Sequence, residues 1–185
     1  MTIPNMNDIG SIYIPRPLGA KELNLSDDWR GRWIDEQELP ANAPVQYAYA
    51  LVLMGDKGYV TRQRGDAVWG SVEGSVSGEK PDAFIKRAVK EQAGATIGQM
   101  EMIGFFECRA TSHNPDFAKD TISVRPLYLV VAKKVDDLPA GSAYEKRRLP
   151  LNEYMRAIRG RYPELADPIS DAGQRYAVIR AKGGA

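Results

Sequence analysis

The stretch Trp69-Gly-Ser-Val-Glu-Gly-Ser-Val-Ser-Gly-Glu-Lys-Pro-Asp-Ala-Phe-Ile-Lys-Arg-Ala-Val-Lys-Glu-Gln-Ala-Gly-Ala95 changes character halfway along. Its first half carries Gly70, Gly74 and Gly78 with small residues between them, and predicts a loop over 70–78. Its second half predicts a helix. Pro81 suits a first-turn position, where its missing N–H costs nothing, and Gly94 is placed to end the helix as a left-handed cap. Between them Phe84, Ile85, Ala88 and Val89 form an apolar stripe at spacings of three and four, the face such a helix would bury.

Strands surround this unit. Upstream, Tyr47 to Met54 is almost continuously apolar and ends at the turn-rich Gly55-Asp56-Lys57-Gly58, after which Tyr59-Val60-Thr61-Arg62 resumes. That order reads as strand, hairpin turn, strand. Downstream, Met102 to Ala110 is rich in strand formers, and Thr121 to Ala132 places Ile122, Val124, Leu127, Leu129 and Val131 largely at alternate positions. After Leu149-Pro150-Leu151, a short helix is predicted over Asn152 to Gly160 and a final one over Ser170 to Ala181. Residues 1–46 mix Pro4, Pro15, Pro17, Pro40 and Pro44 with Trp29 and Trp33, and read as an irregular extension packed on the core or on a partner. The class is α/β or α+β with a mixed sheet. The domain proper is expected over residues 47–185.

A chain of 185 residues is long enough for one good hydrophobic core and short for two. Its 43% hydrophobic and 26% charged composition is that of an ordinary globular protein. With 25 Lys and Arg against 24 Asp and Glu, the formal charge of +1 gives no general pull toward nucleic acid or membrane. One cysteine, Cys108, cannot form an intramolecular disulfide, and one histidine, His113, excludes a Cys/His zinc cluster. Cys108 reads as a buried thiol and His113 as an exposed loop residue. No segment approaches the roughly 18 apolar residues of a membrane span, and Met1 to Asn7 lacks the basic stretch and long apolar run of an export signal. A cytoplasmic, reducing location is expected.

The quoted stretch resembles the Nudix box, whose pattern is G-x5-E-x7-R-E-U-x-E-E-x-G-U with U a bulky aliphatic residue. Glu79 followed after seven residues by Arg87 matches its middle, Val89 its aliphatic position, Glu91 the first of its paired glutamates and Gly94 its late glycine. The resemblance implies a Nudix-type α/β/α sandwich with the box over 69–95. It implies hydrolysis of a nucleoside diphosphate-linked small molecule with Mg²⁺ or Mn²⁺, and family members are often homodimers. In the family, the pair at Glu79 and Arg87 ties loop to helix, and with Gly94 these are the scaffold residues. Positions 88, 91 and 92 differ by three and four, so on a helix they share a face within roughly 100°. Three carboxylates there would hold a divalent ion against substrate phosphates.

Position 88 is Ala where the family has Glu, position 92 is Gln where it has Glu, and position 73 is Glu where it has Gly. The candidate metal ligands are therefore Glu91, the amide oxygen of Gln92, and Glu73 as a replacement carboxylate from the loop. Glu91 and Glu107 are the candidate catalytic residues, Glu107 as a general base from beyond the box. Arg62 and Arg64, two apart on a strand, share a face suited to clamping a diphosphate, or are solvated. Trp69 either stacks on a base or anchors the loop. The basic run Lys146-Arg147-Arg148 reads as a solvated strand edge rather than a nucleic-acid contact. Two functions follow from these departures. One is a Nudix-like hydrolase of reduced or altered metal dependence; the alternative is a catalytically inactive Nudix-fold protein that binds a nucleotide or a protein partner.

Overall fold

The apolar run at Tyr47–Met54 forms a central strand buried from both sides, as its unbroken hydrophobicity requires. The computed structural model describes Tyr13 and residues 22–183. In chain order the elements are β1 (Leu23–Asn24), β2 (Trp29–Ile34), β3 (Tyr47–Met54), β4 (Lys57–Gln63), β5 (Val72–Ser75), α1 (Pro81–Ala93), β6 (Ala95–Ala110), β7 (Ile122–Val135), β8 (Tyr144–Pro150), α2 (Leu151–Arg161) and α3 (Ala166–Ala181). A 3-10 turn at Pro163–Leu165 joins the last two helices, and Pro168 in the first turn lets α3 begin four residues before the expected Ser170.

The sheet runs β1-β2-β6-β7-β3-β4-β8, with β5 on β3 beside β4. It is mixed: β3 and β7 are parallel, from Tyr49↔Leu127 to Leu53↔Val131, and the other strand pairs are antiparallel. Helix α1 covers one face, burying Phe84, Ile85 and Val89 against Ala50, Val52 and Val130. Helices α2 and α3 cover the other, where Tyr154, Ile158 and Tyr176 meet Leu51, Leu53 and Leu129. The result is the expected α/β/α sandwich. Gly58 on β4 lets α2 come close, because the Tyr154 ring fills the space a Cβ would need.

Two expectations are corrected. The glycine-rich stretch is not all loop: Val72–Ser75 form β5, pairing Tyr47↔Ser75 through Ala50↔Val72. Val72 and Val76 are buried beneath α1, and Gly74 leaves the room that the Phe84 ring takes up. The extension is not all irregular either. Trp29–Ile34 pair with β6 from Trp29↔Ala110 to Ile34↔Phe105, and both tryptophans pack on the core, Trp33 edge-on to Phe106 at 5.4 Å. Pro40 and Pro44 follow β2 instead of interrupting it; Pro4, Pro15 and Pro17 lie outside the described residues. The basic run Lys146–Arg148 lies on β8, the outer strand of the sheet. No helix among the described residues is long and apolar enough to cross a membrane.

Candidate functional site

Helix α1 is set by its ends. Pro81 opens it without a side-chain cap, and Gly94 closes it at φ 66°, its N–H bonding the Lys90 carbonyl. Lys146 Nζ, reaching from β8, donates to the carbonyls of Ala93 and Asp136 and ties that end to the sheet. The helix buries Phe84, Ile85, Ala88, Val89, Gln92 and Ala93, so positions 88 and 92 lie on its sheet-facing side. Ala88 fills its space in the apolar layer.

Gln92 is 5% exposed, and both ends of its amide are committed. Its Oε1 accepts the Glu73 N–H at 3.2 Å and its Nε2 donates to the Glu73 carbonyl at 2.9 Å. That pair fastens α1 to β5 and uses the oxygen that a metal would need. Glu91, by contrast, has a side chain 53% exposed and bonds Arg87 at 3.4 Å. Arg87 also donates to Glu79 at 2.5 Å, so loop, helix and the one surviving carboxylate are joined through a single guanidinium.

Glu73 faces away from α1. Since Gly74 meets Phe84, strand alternation turns Glu73 to the α2 side. There the Tyr162 hydroxyl, just past the end of α2, donates to its carboxylate at 2.7 Å and accepts the Ser71 N–H at 3.1 Å. Burial pushes the Glu73 carboxyl up from its usual value, partly offset by hydrogen bonds from Tyr162 and Tyr47 and by the charge of Arg161. Burial likewise raises Tyr162, with Glu73 adding to it.

Arg62, Arg64 and Trp69 lie together along one groove. Glu145, opposite Arg62 in the β4–β8 ladder, bonds Arg62 at 2.8 Å and Arg64 at 3.3 Å. The guanidinium of Arg62 lies 4.3 Å from the Trp69 ring centre and that of Arg147 lies 4.7 Å from it, so Trp69 carries two cations on its ring. Arg147 borders that groove too, and Arg62 also borders the cleft over α1.

Glu107 is away from that cleft. Arg32 grips it from β2, with Nε at 2.9 Å and Nη2 at 2.6 Å, and the Tyr13 hydroxyl also donates to it. A buried ion pair of this kind, with two N–H groups on one carboxylate oxygen, is a joint between strands, since removing one partner strands a charge in the interior. Cys108, on the same strand, is fully buried, and burial pushes its thiol up to about 11. His113 sits exposed in the β6–β7 loop.

The cleft over α1 encloses about 750 Å³. Arg62, Arg87 and Arg161 bring positive charge to it, Asp66, Glu73 and Glu91 negative, and Tyr144 an aromatic wall. Sequence reasoning missed Tyr47, Arg161 and Tyr162, which reach the site from β3 and from the end of α2 with no motif to mark them. The donor set does not fit a resident divalent cation. Ala88 has no donor, the Gln92 oxygen is occupied, and the carboxylates that border the cleft, Asp66, Glu73 and Glu91, do not converge on one point. Among the described residues, no three His, Cys, Asp or Glu side chains converge on a point where a metal ion would be held.

No family model and no curated protein matches the chain. Solved structures do. A mutant of the Bacillus subtilis pyrophosphohydrolase BsRppH is similar at a TM-score of 0.55 and 16% identity, over 70% of this chain and 77% of that one. A C. elegans Ap4A hydrolase, solved as a binary complex, is similar at a TM-score of 0.50 and 16% identity, over 72% of this chain and 98% of that one. At such identity the likeness is one of architecture. A mixed sheet between α1 and the α2–α3 pair, with residues 69–95 supplying strand, loop and helix, makes this chain a protein of the Nudix fold.

Proposed function

We propose that this Nudix-fold protein binds a nucleoside diphosphate-linked small molecule in the cleft over α1 and holds it without hydrolysing it. The observation that carries this reading is the pinning of Gln92 to the backbone of Glu73, at a position where the family's box has a metal-binding carboxylate. Binding of the phosphates falls to guanidiniums. Arg62, Arg87 and Arg161 border the cleft, and charge-assisted, bidentate hydrogen bonds are how guanidiniums recognise phosphate oxygens. Tyr47, Phe84 and Tyr144 supply the apolar surface that a small-molecule site also needs.

A second reading, a hydrolase of altered metal dependence, is supported by the presence of both Glu73 and Glu91 at the cleft's border. Mg²⁺ is commonly held by one or two carboxylates when substrate phosphates complete its shell. A hydrolysis screen separates the two. Nucleoside triphosphates, ADP-ribose, dinucleoside polyphosphates and nucleotide sugars are incubated with Mg²⁺ or Mn²⁺, beside a Glu91→Gln variant. Binding without turnover is the expected result. Turnover that Glu91→Gln abolishes would replace the first reading with the second.

A further inference from the structure

A second cavity, of about 380 Å³, adjoins the α1 cleft, and Tyr47 and Ser75 border both. It is built where the start of β2, the start of β7 and the β6–β7 loop meet. Trp29 and Phe117 form an aromatic corner, their ring centres 5.5 Å apart and their planes at 55°. Phe117 is 38% exposed on a loop, an unusual position for a large apolar ring. The Arg125 guanidinium lies 4.8 Å from the Trp29 ring centre.

Two residues of this cavity's lining each carry a buried polar atom that is unsatisfied. Ser123 is fully buried, and its Oγ has no hydrogen-bond partner among the described residues; the same holds for the buried Nε of Arg125. A buried hydroxyl and a buried N–H left unpaired are costly, and each calls for an explanation. A ligand that brings acceptors supplies one. The aromatic corner calls for a flat ligand, since Trp and Phe faces stack on planar rings. Among the described residues, the one cation of the lining, Arg125, already lies over Trp29, which disfavours a free phosphate here. A purine base has both properties: a flat face, and an edge whose N7, with O6 in guanine, accepts from side-chain donors.

We propose that this cavity is a nucleobase subsite, which stacks a purine against Trp29 and Phe117 and turns its acceptor edge to Ser123 Oγ and Arg125 Nε. The proposal rests on the nucleotide reading of the α1 cleft, and it deepens it. A base seated here would lie across the Tyr47–Ser75 wall from the guanidiniums that receive the phosphates.

Calorimetric titrations of the full chain with guanosine, adenosine and, separately, sodium pyrophosphate test it. The variants are Phe117→Ala, on an exposed loop, and Ser123→Ala, which removes one unpaired oxygen and leaves the packing intact. At least one purine nucleoside is expected to bind the wild type, each variant to weaken it about fivefold or more, and pyrophosphate affinity to be unchanged. Two results would overturn the subsite: neither nucleoside binding at millimolar concentration, or nucleoside affinity unmoved in both folded variants. Loss of pyrophosphate binding alone, with nucleoside binding intact, would count against the α1 cleft and leave this subsite standing.

Discussion

At position 92 a single amide closes two backbone hydrogen bonds to Glu73, and a carboxylate cannot do the same, because it has no donor for the Glu73 carbonyl. Gln92→Glu is therefore expected to lower stability at neutral pH by about 1–3 kcal/mol, the cost of leaving a buried polar group unpaired. Urea denaturation measures it, and an unchanged midpoint would show that the pin between α1 and β5 does not hold the fold. Glu73 itself gives a pH signature. Its folded carboxyl titrates above the usual value of 4.5, so folding favours the protonated form. The stability it contributes is complete below the ordinary carboxylate range and is lost as pH rises through the folded value. The melting temperature of Glu73→Gln minus that of the wild type should thus be smallest near pH 4 and grow toward neutrality; a gap that shrinks instead would mean that the ionised carboxylate is the form the site prefers.

Among the elements, α1 was the most legible, because both of its ends depend on local backbone chemistry. Pro81 and Gly94 specify start and stop regardless of what the helix packs against. Gly94→Ala should cost at least about 1–2 kcal/mol, the penalty of a left-handed backbone for an L-residue. A Cβ there would also run into the Asp136 carbonyl. Thermal unfolding reads this, and a wild-type melting temperature would refute the cap. Strands β5 and β2 were not legible in the same way. Val72–Ser75, with Gly74 among them, become a strand only because Tyr47–Ala50 offer a free ladder edge, and Trp29–Ile34 do so only because β6 extends to Ala110. Their pairing partners come from distant sequence, and no local periodicity announces them.

On the scale of the molecule, the box delivered Arg87 and Glu91 to one cleft, with Glu79 bonded to Arg87 from the loop, since helical spacing and a short loop suffice to bring them together. The site's other half was hidden. Tyr162 and Arg161 lie about 90 residues from Glu73, and only the folding of α2 across the sheet brings them to it. Glu107 shows the reverse case, a residue at a plausible distance from the box whose side chain is taken by Arg32. The molecule therefore presents guanidiniums to the cleft in a setting where the family's carboxylates would otherwise bring a cation. Binding of phosphates by protein groups alone is tested most directly by calorimetric titration of ADP-ribose with excess EDTA and again with Mg²⁺. Equal affinity in both, with the ligand recovered intact, is the predicted result; binding that appears only with Mg²⁺, accompanied by cleavage, would contradict it.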